Sequence, residues 1–196
     1  ILLVLLFLLI LLVWRDWQGR DITHPPGVLV PETPRQTVPE RTEPLPAGEY
    51  QLTPRAGFNI RARVLSRENY YLGAEADLAP VDLALGWGPM SDQAVLDRIS
   101  ISQGSRWYFT RYELPPPISD QQIIRHSANM HMIPANGRVD EKLHDLRSGD
   151  LIQAYGYLVD VDHDSGFYWR TSTRRDDTGG GSCEIFYVEQ IYVEPR

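Results

Sequence analysis

The segment NMHMIP places Met130, His131 and Met132 next to one another, so that two thioethers flank an imidazole. These groups suit copper(I), which is a soft ion. In a strand, however, successive side chains point to opposite faces, and His131 would then point away from both methionines. Methionine also packs well in a core. We therefore favour packing and expect no bound cofactor, with a copper-handling module at these three residues as an alternative.

The chain has a single cysteine, Cys183, which lies in the segment RRDDTGGGSCE. A cysteine nucleophile needs a neighbouring base or cation to form a thiolate, and His126, His131, Arg174 and Arg175 could supply one. This combination would make the chain an envelope enzyme, which is our alternative function. Cysteine outside disulfides is among the most buried residue types, so a structural cysteine at the start of the last strand is favoured.

Three aspartates alternate in the segment DVDHDSG, namely Asp160, Asp162 and Asp164. An EF-hand calcium loop has glycine at its sixth position and a bidentate acid at its twelfth. In this chain Ser165 and Thr171 hold those positions. Because strand-like runs flank the segment, we predict a solvated hairpin turn rather than a calcium site.

Trp87 lies between two glycines in the segment GWGPMSD, and Trp107 begins the aromatic run Trp107, Tyr108 and Phe109. The glycines would allow the Trp87 indole to lie against another backbone or a ligand. Tryptophan and tyrosine are enriched among the residues that dominate binding at protein interfaces. We predict that Trp87 and Trp107 form an aromatic platform for a protein partner, with packing in the core as the alternative.

The elements that position these residues are short strands and short helices. Strand patterns cover residues 57–66, 81–87, 105–114, 151–162, 167–173 and 183–194, and capped helical patterns cover residues 91–100, 119–129 and 139–150. The predicted fold class is α+β, with roughly five to seven antiparallel strands, two or three short helices and an N-terminal transmembrane helix. The segment RSGDLIQAYGYLVDV is also typical of small closed barrels, including oligonucleotide-binding folds.

Residues 1–17 are predicted to be a membrane anchor. Residues 1–13 are all apolar, and Trp14 and Trp17 follow them beside charged residues, as is typical of a membrane–water boundary. As a helix, the run to Trp14 spans about 21 Å, which is less than the ~30 Å hydrocarbon core. We therefore interpret it as a transmembrane helix that is incomplete at its N-terminus.

Residues 18–48 are predicted to be a proline-rich spacer, and residues 49–196 are predicted to be the globular domain. Proline lacks a backbone donor and favours an extended backbone, so the spacer is expected to be semi-rigid. The spacer also carries an apolar run that a passive tether would not need. The predicted interface residues are Trp14, Trp17, Val28, Leu29, Val30, Trp87 and Trp107.

The net charge of −7 limits the classes of partner. A nucleic acid requires a basic surface that neutralises its phosphates, so we expect no nucleic-acid partner. A peripheral hold on anionic lipid likewise requires a polybasic patch. With one cysteine, an intrachain disulfide is excluded.

Several segments resemble those of a family of single-span proteins from proteobacteria for which no activity is known. The segments are LALGWGPMSD, ISQGSRWYF, RHSANMHMIPA, RSGDLIQAYGYLV and DDTGGGSCE, and they extend over most of the chain after the spacer. The resemblance implies a bacterial inner-membrane protein with an anchored extracytoplasmic domain. It supplies no catalytic residue.

These observations together predict a non-catalytic accessory subunit of a larger inner-membrane complex. The expected partners are the lipid bilayer and other membrane-protein subunits. A single N-terminal span followed by a folded domain commonly places that domain outside the cytoplasm. The expected location is therefore the bacterial inner membrane, with a single span and a periplasmic domain.

Overall fold

The computed structural model describes residues 21–174 and 183–196, and strands dominate this part of the chain. The strands are β1 (Arg35–Thr37), β2 (Leu45–Ala47), β3 (Tyr50–Asn69), β4 (Val81–Gly86), β5 (Ile99–Gly104), β6 (Trp107–Tyr112), β7 (Ser127–Pro134), β8 (Leu151–His163), β9 (Tyr168–Trp169) and β10 (Glu184–Val193). The α-helices are α1 (Ala74–Leu78), α2 (Gln93–Leu96), α3 (Asp120–Arg125) and α4 (Gly137–Asp145). A 3-10 helix, Gly88–Ser91, follows β4.

Five of these strands close into a barrel. β3 pairs with β4, β4 with β7, and β8 with β10, all antiparallel, whereas β7 and β10 run parallel. β8 also pairs with β3 from Tyr50↔His163 to Arg63↔Leu151, and this pairing closes the barrel. When β3, β4, β7, β8 and β10 are numbered 1 to 5 in chain order, the strand order around the barrel is 1-2-3-5-4-1. This is the connectivity of the oligonucleotide/oligosaccharide-binding (OB) fold. The parallel pair corrects the expectation of an entirely antiparallel sheet.

The barrel interior is filled by alternate residues of each strand. In β3, Phe58, Ile60, Ala62 and Val64 are buried in the interior cluster, as their spacing predicted. The ring of Phe58 packs edge-on against that of Phe186 from β10, with 5.0 Å between the ring centroids. Because successive side chains of a strand point to opposite faces, the polar residues between them face outward.

Residues 21–48 lie along the surface of the barrel. The amide of Ile22 donates to the carbonyl oxygen of Ser148 at 2.8 Å, and Val30 is fully buried against the barrel core. Gly149 has φ +92°, and a Cβ at this position would lie 2.0 Å from the carbonyl oxygen of Ile22. Further along, β1 and β2 each pair with β3. The described part of the predicted spacer therefore packs on its own domain, with Val30 as its apolar anchor.

The helices are shorter than their sequence patterns predicted. α3 begins after Ser119, which forms a capping box with Gln122, and it lies within the predicted helix of residues 119–129. The predicted helix of residues 91–100 is limited to the four residues of α2. β5 begins at Ile99 because Ile99 and Ile101 alternate with serines, and this alternation buries one face of the strand.

The predictions of fold class and location need correction. The described helices have only four to nine residues, so this part of the chain is a β-rich domain and the α+β prediction is wrong. The predicted transmembrane helix, residues 1–17, lies outside the described residues. Within residues 21–174 and 183–196, no helix has both the length and the apolar character needed to cross a bilayer. For this part of the chain, the predicted single-pass inner-membrane location is therefore wrong.

Candidate functional site

The candidate site lies on the outer face of β4 and β7, which are the second and third strands of the barrel. In OB folds this face binds the ligand, together with the loops that join strands 1 and 2 and strands 4 and 5. Here those loops begin at Tyr70 and Asp164. A hairpin made of β5 and β6 is inserted between β4 and β7 and packs back on their outer face. The chain itself therefore covers the ligand face of its barrel.

Polar and apolar contacts hold the hairpin on this face. The hydroxyl oxygens of Tyr108 and Ser127 lie 2.8 Å apart, and Gln103 Nε2 donates to Asn129 Oδ1 at 2.7 Å. Burial raises the pKa of Tyr108 to about 12, so its hydroxyl is protonated at neutral pH. An apolar cluster lies beneath the hairpin and contains the buried residues Leu65, Ala84, Met90, Ile99 and Ile123.

Arg106, at the tip of the hairpin, reaches into a pocket between the barrel loops. Its Nη1 donates to Asp82 Oδ1 at 2.6 Å and to the carbonyl oxygen of Ala79 at 2.8 Å. Its guanidinium carbon lies 3.8 Å from the ring centroid of Tyr70 and 5.7 Å from that of Trp169. Both distances are within the range of cation–π attraction. We call the residues around this group the guanidinium pocket; they are Tyr70, Glu75, Ala79, Asp82 and Trp169.

Asp82 is the negative centre of the guanidinium pocket and is fully buried. Its Oδ1 accepts from Arg106 and lies 2.9 Å from His131 Nδ1. Its Oδ2 has no hydrogen-bond partner among the residues that the structure describes. His131 is 2% exposed and stacks on Trp169, with 4.4 Å between the ring centroids. Because a buried carboxylate requires a compensating charge, Arg106 is essential to this arrangement.

The backbone at the tip of the hairpin is strained. Ser105 and Arg106 form the two-residue connection between β5 and β6, and their φ angles are 52° and 67°. Positive φ at both positions defines a type I′ turn, in which Asn-Gly is a preferred pair. A side chain in this left-handed region costs about 1–2 kcal/mol per residue. The Arg106 amide donates to Tyr70 Oη at 2.9 Å, and this bond and the contacts of the guanidinium group offset the cost.

The opposite side of the hairpin faces solvent. Trp107, Phe109 and Arg111 point outward from β6, and Trp107 and Phe109 are 42% and 54% exposed. We call this surface the hairpin face. Exposed apolar residues that lie next to one another mark interaction sites more often than single ones do. The cross-strand neighbours of Trp107 and Phe109 are Gly104 and Ser102, which are too small to cover the two side chains.

An open groove of about 440 Å³ lies beside the hairpin face, between β6 and α3. The hydroxyl of Tyr112 donates to Asp120 across the groove, and Ile124 is 39% exposed. Arg111 belongs to both the groove and the hairpin face, so the two surfaces are continuous. The groove is lined by Thr110, Arg111, Tyr112, Asp120, Ile123 and Ile124.

The described residues of the predicted interface are divided between surface and core. Trp107 lies on the hairpin face, and Val28 is 49% exposed on the N-terminal segment. Trp87 and Val30 are buried in the barrel core, and Leu29 packs against the same core. Because Trp87 is inaccessible to solvent, the two tryptophans do not form a joint platform.

The structure separates the three residues of the predicted copper site. Met130 and Met132 are buried in the barrel interior, whereas His131 points to the outer face, beside Asp82 and Trp169. A single ion could not be bound by all three. In residues 21–174 and 183–196, no group of three or more His, Cys, Asp and Glu side chains is arranged to hold a metal ion.

Cys183 directly precedes β10 and is half-buried. Its Sγ lies 4.0 Å from the carbonyl oxygen of Arg106, which is compatible with a weak hydrogen bond from the thiol. Of the histidines that could serve as a base, His131 faces Asp82, and His126 Nδ1 lies 2.8 Å from a carbonyl oxygen of α3. The thiol therefore lies against the tip of the hairpin.

The alternating aspartates lie where β8 turns into β9, at the hairpin that the sequence predicted. Asp160 Oδ2 accepts from Arg55 Nε at 2.6 Å, and Asp162 Oδ1 accepts from Arg170 Nη2 at 2.5 Å. Arginines thus engage the first two carboxylates, which fits a hairpin turn and not a calcium loop.

The guanidinium pocket was not identified from the sequence. The one available signal was Asp82, a carboxylate within the apolar strand VDLALGW. Arg106 is 24 residues from Asp82 and 36 from Tyr70 along the chain, and only the folded hairpin brings them together.

No protein-family model, no curated protein and no solved structure matches this chain. The assignment of an OB-type barrel therefore rests on its strand connectivity, and the candidate site rests on its contacts. The resemblance to single-span proteins of proteobacteria stays a prediction.

Proposed function

We propose that this chain is a non-catalytic interaction module that binds a protein partner through the hairpin face, as an accessory subunit of a larger complex. The observation that carries the proposal is the exposed column of Trp107, Phe109 and Arg111 on a hairpin that covers the ligand face of the barrel. Such a column has the residue types that dominate binding at protein interfaces, where tryptophan and arginine are enriched.

The attachment of the hairpin supports this proposal because it holds the exposed side chains in place before a partner binds. Arg106, Gln103 and Tyr108 each contact the barrel from the inner side of the hairpin. A surface that is rigid before binding loses less conformational entropy on association. The groove beside Arg111 extends the surface that a partner could contact.

A protein partner fits the charge of the chain better than a nucleic acid does. The net charge of −7 opposes the approach of phosphates. OB folds that bind oligonucleotides also use the face of the second and third strands, which the hairpin covers here.

Site-specific photocrosslinking of the full chain in its native host tests this proposal. Benzoylphenylalanine in place of Phe109 should give one adduct of defined mass, from which mass spectrometry identifies the bound protein. The matched control is benzoylphenylalanine in place of Tyr192, which is 53% exposed on β10. An adduct from Tyr192 alone, or the same adducts from both positions, would contradict the proposal.

The affinity of the identified partner for the purified full chain gives a second readout. Trp107→Ala should raise Kd about thirtyfold, because truncation of a dominant interface residue costs ~2 kcal/mol. Val38→Ala is the control, since Val38 is 87% exposed on the N-terminal segment and outside the hairpin face. Equal affinities of the two variants would count against the hairpin face.

A further inference from the structure

We propose that the guanidinium pocket is a binding site for an arginine side chain of a protein partner, and that Arg106 occupies it in cis. This inference goes beyond the proposed function, because the pocket lies under the tip of the hairpin and is separate from the hairpin face. It follows from the chemistry of the pocket walls and from the way in which Arg106 fits them.

A guanidinium group can stack on aromatic rings, donate to carbonyl oxygens and pair with carboxylates, and the walls of the pocket offer all three kinds of partner. Its flat face lies on Tyr70, with Trp169 on a second side. Its N–H groups meet the carbonyl oxygen of Ala79 and the carboxylate of Asp82. A planar cation that stacks and donates from several N–H groups uses all of these walls, whereas an ammonium group has no flat face to stack.

Arg106 fills the pocket incompletely. Only Oδ1 of the Asp82 carboxylate accepts from it, and Oδ2, on a side chain with 0% exposure, has no hydrogen-bond partner among the described residues. Arginine–carboxylate pairs are frequently bidentate, with two parallel N–H···O bonds. The backbone of Arg106 is confined to a tight turn, which limits how its side chain can approach. An arginine from outside is not confined in this way and can engage both oxygens.

The charge and the opening of the pocket also favour a cationic ligand. Without the Arg106 side chain, the carboxylates of Asp82 and Glu75 would face the pocket, and His131 is the titratable group behind them. Glu75 Oε2 lies 3.8 Å from Arg106 Nε, and its side chain is 51% exposed. The Glu75 side is therefore the exposed edge of the pocket, by which an external side chain enters when it replaces that of Arg106.

The test is chemical rescue of the full-length Arg106→Gly variant by methylguanidinium. Glycine adopts positive φ without steric cost, so this variant removes the side chain and keeps the turn. Low millimolar methylguanidinium, at an ionic strength held constant with sodium chloride, should raise the Tm of Arg106→Gly in a saturable manner. The native chain should show no saturable rise, because its tethered Arg106 competes at an effective concentration on the order of millimolar or more. Arg111→Ala, which removes an exposed arginine from the same hairpin, should behave as the native chain does.

Three comparisons make the outcome decisive. Methylammonium should bind Arg106→Gly about tenfold more weakly than methylguanidinium, because it cannot stack or form a fork. Adding Asp82→Asn should abolish the Tm rise, and adding Glu75→Gln, at an exposed position where folding is not at risk, should weaken methylguanidinium binding severalfold. The proposal is overturned if Arg106→Gly shows no saturable rise, if methylammonium is equally effective, or if Glu75→Gln leaves the response unchanged. None of these readouts involves the hairpin-face partner, so the two proposals can fail separately.

Discussion

Arg106 and Asp82 are 24 residues apart in the chain, yet Arg106 Nη1 lies 2.6 Å from Asp82 Oδ1. Asp82 belongs to the second barrel strand and is fully buried, whereas Arg106 is at the tip of the inserted hairpin. This ion pair therefore ties the hairpin to the barrel. The hairpin that it holds covers the ligand face of the barrel with one side and exposes aromatic residues on the other.

Replacing Asp82 with asparagine should strongly destabilise the fold. The variant would leave the Arg106 guanidinium, whose side chain is 14% exposed, without its main carboxylate. Loss of one partner of a buried ion pair costs about 3 kcal/mol, measurable by urea unfolding. Asp162→Asn breaks the exposed pair with Arg170 and should change the stability by less than about 0.5 kcal/mol. Equal losses of stability in the two variants would show that the buried ion pair contributes no more to stability than the exposed pair.

Substitutions at Ser105 should report the strain of the hairpin turn. Asparagine tolerates positive φ and is preferred at this position of a type I′ turn, so Ser105→Asn should raise the free energy of unfolding by about 0.5 kcal/mol. Valine is β-branched and opposes positive φ, so Ser105→Val should lower it by at least ~1 kcal/mol. Urea unfolding of the two variants beside the native chain measures both changes. The opposite order of stabilities would argue against the turn geometry.

Gly149→Ala should loosen the N-terminal segment. A Cβ at Gly149 would lie 2.0 Å from the carbonyl oxygen of Ile22, and the φ of +92° is unfavourable for alanine. We expect a loss of about 2 kcal/mol in unfolding free energy and faster amide hydrogen exchange at Ile22. Gly48→Ala is the control, since Gly48 has φ +62° but its Cβ would meet nothing within 4 Å. This control should lose about 1 kcal/mol and leave exchange at Ile22 unchanged.

Tyr108 should make the chain sensitive to alkaline pH. Burial raises its pKa from the ordinary tyrosine value of 10.0 to about 12, so the folded state binds the proton of Tyr108 more tightly than the unfolded state does. The resulting contribution to the free energy of unfolding is fully present below pH ~10. It is lost as the pH rises through ~12, by about 2–3 kcal/mol in total. Tyr108→Phe should reduce this alkaline loss in unfolding experiments between those pH values. Tyr192→Phe, at an exposed position on β10, should leave it unchanged.

Local patterns were sufficient to predict several elements. The alternation of Phe58, Ile60, Ala62 and Val64 identified β3, and Ser119 marked the start of α3. Alternation also separated His131 from the two methionines beside it. These predictions succeeded because strand alternation and helix capping depend on residues within a few positions of one another. The same patterns failed for residues 91–100, where a capped helix ends after one turn and a strand follows.

The amino-acid sequence by itself determined several of the strands, the acidic charge and the absence of an intrachain disulfide, because composition and short-range periodicity encode these properties. Only the tertiary structure decided that β3 and β8 close a barrel, that the proline-rich residues from 21 to 48 pack on it, and that Arg106 reaches Asp82. These contacts join residues that are far apart in the chain. Whether they form depends on strand register and on the burial of charge, which no local pattern specifies.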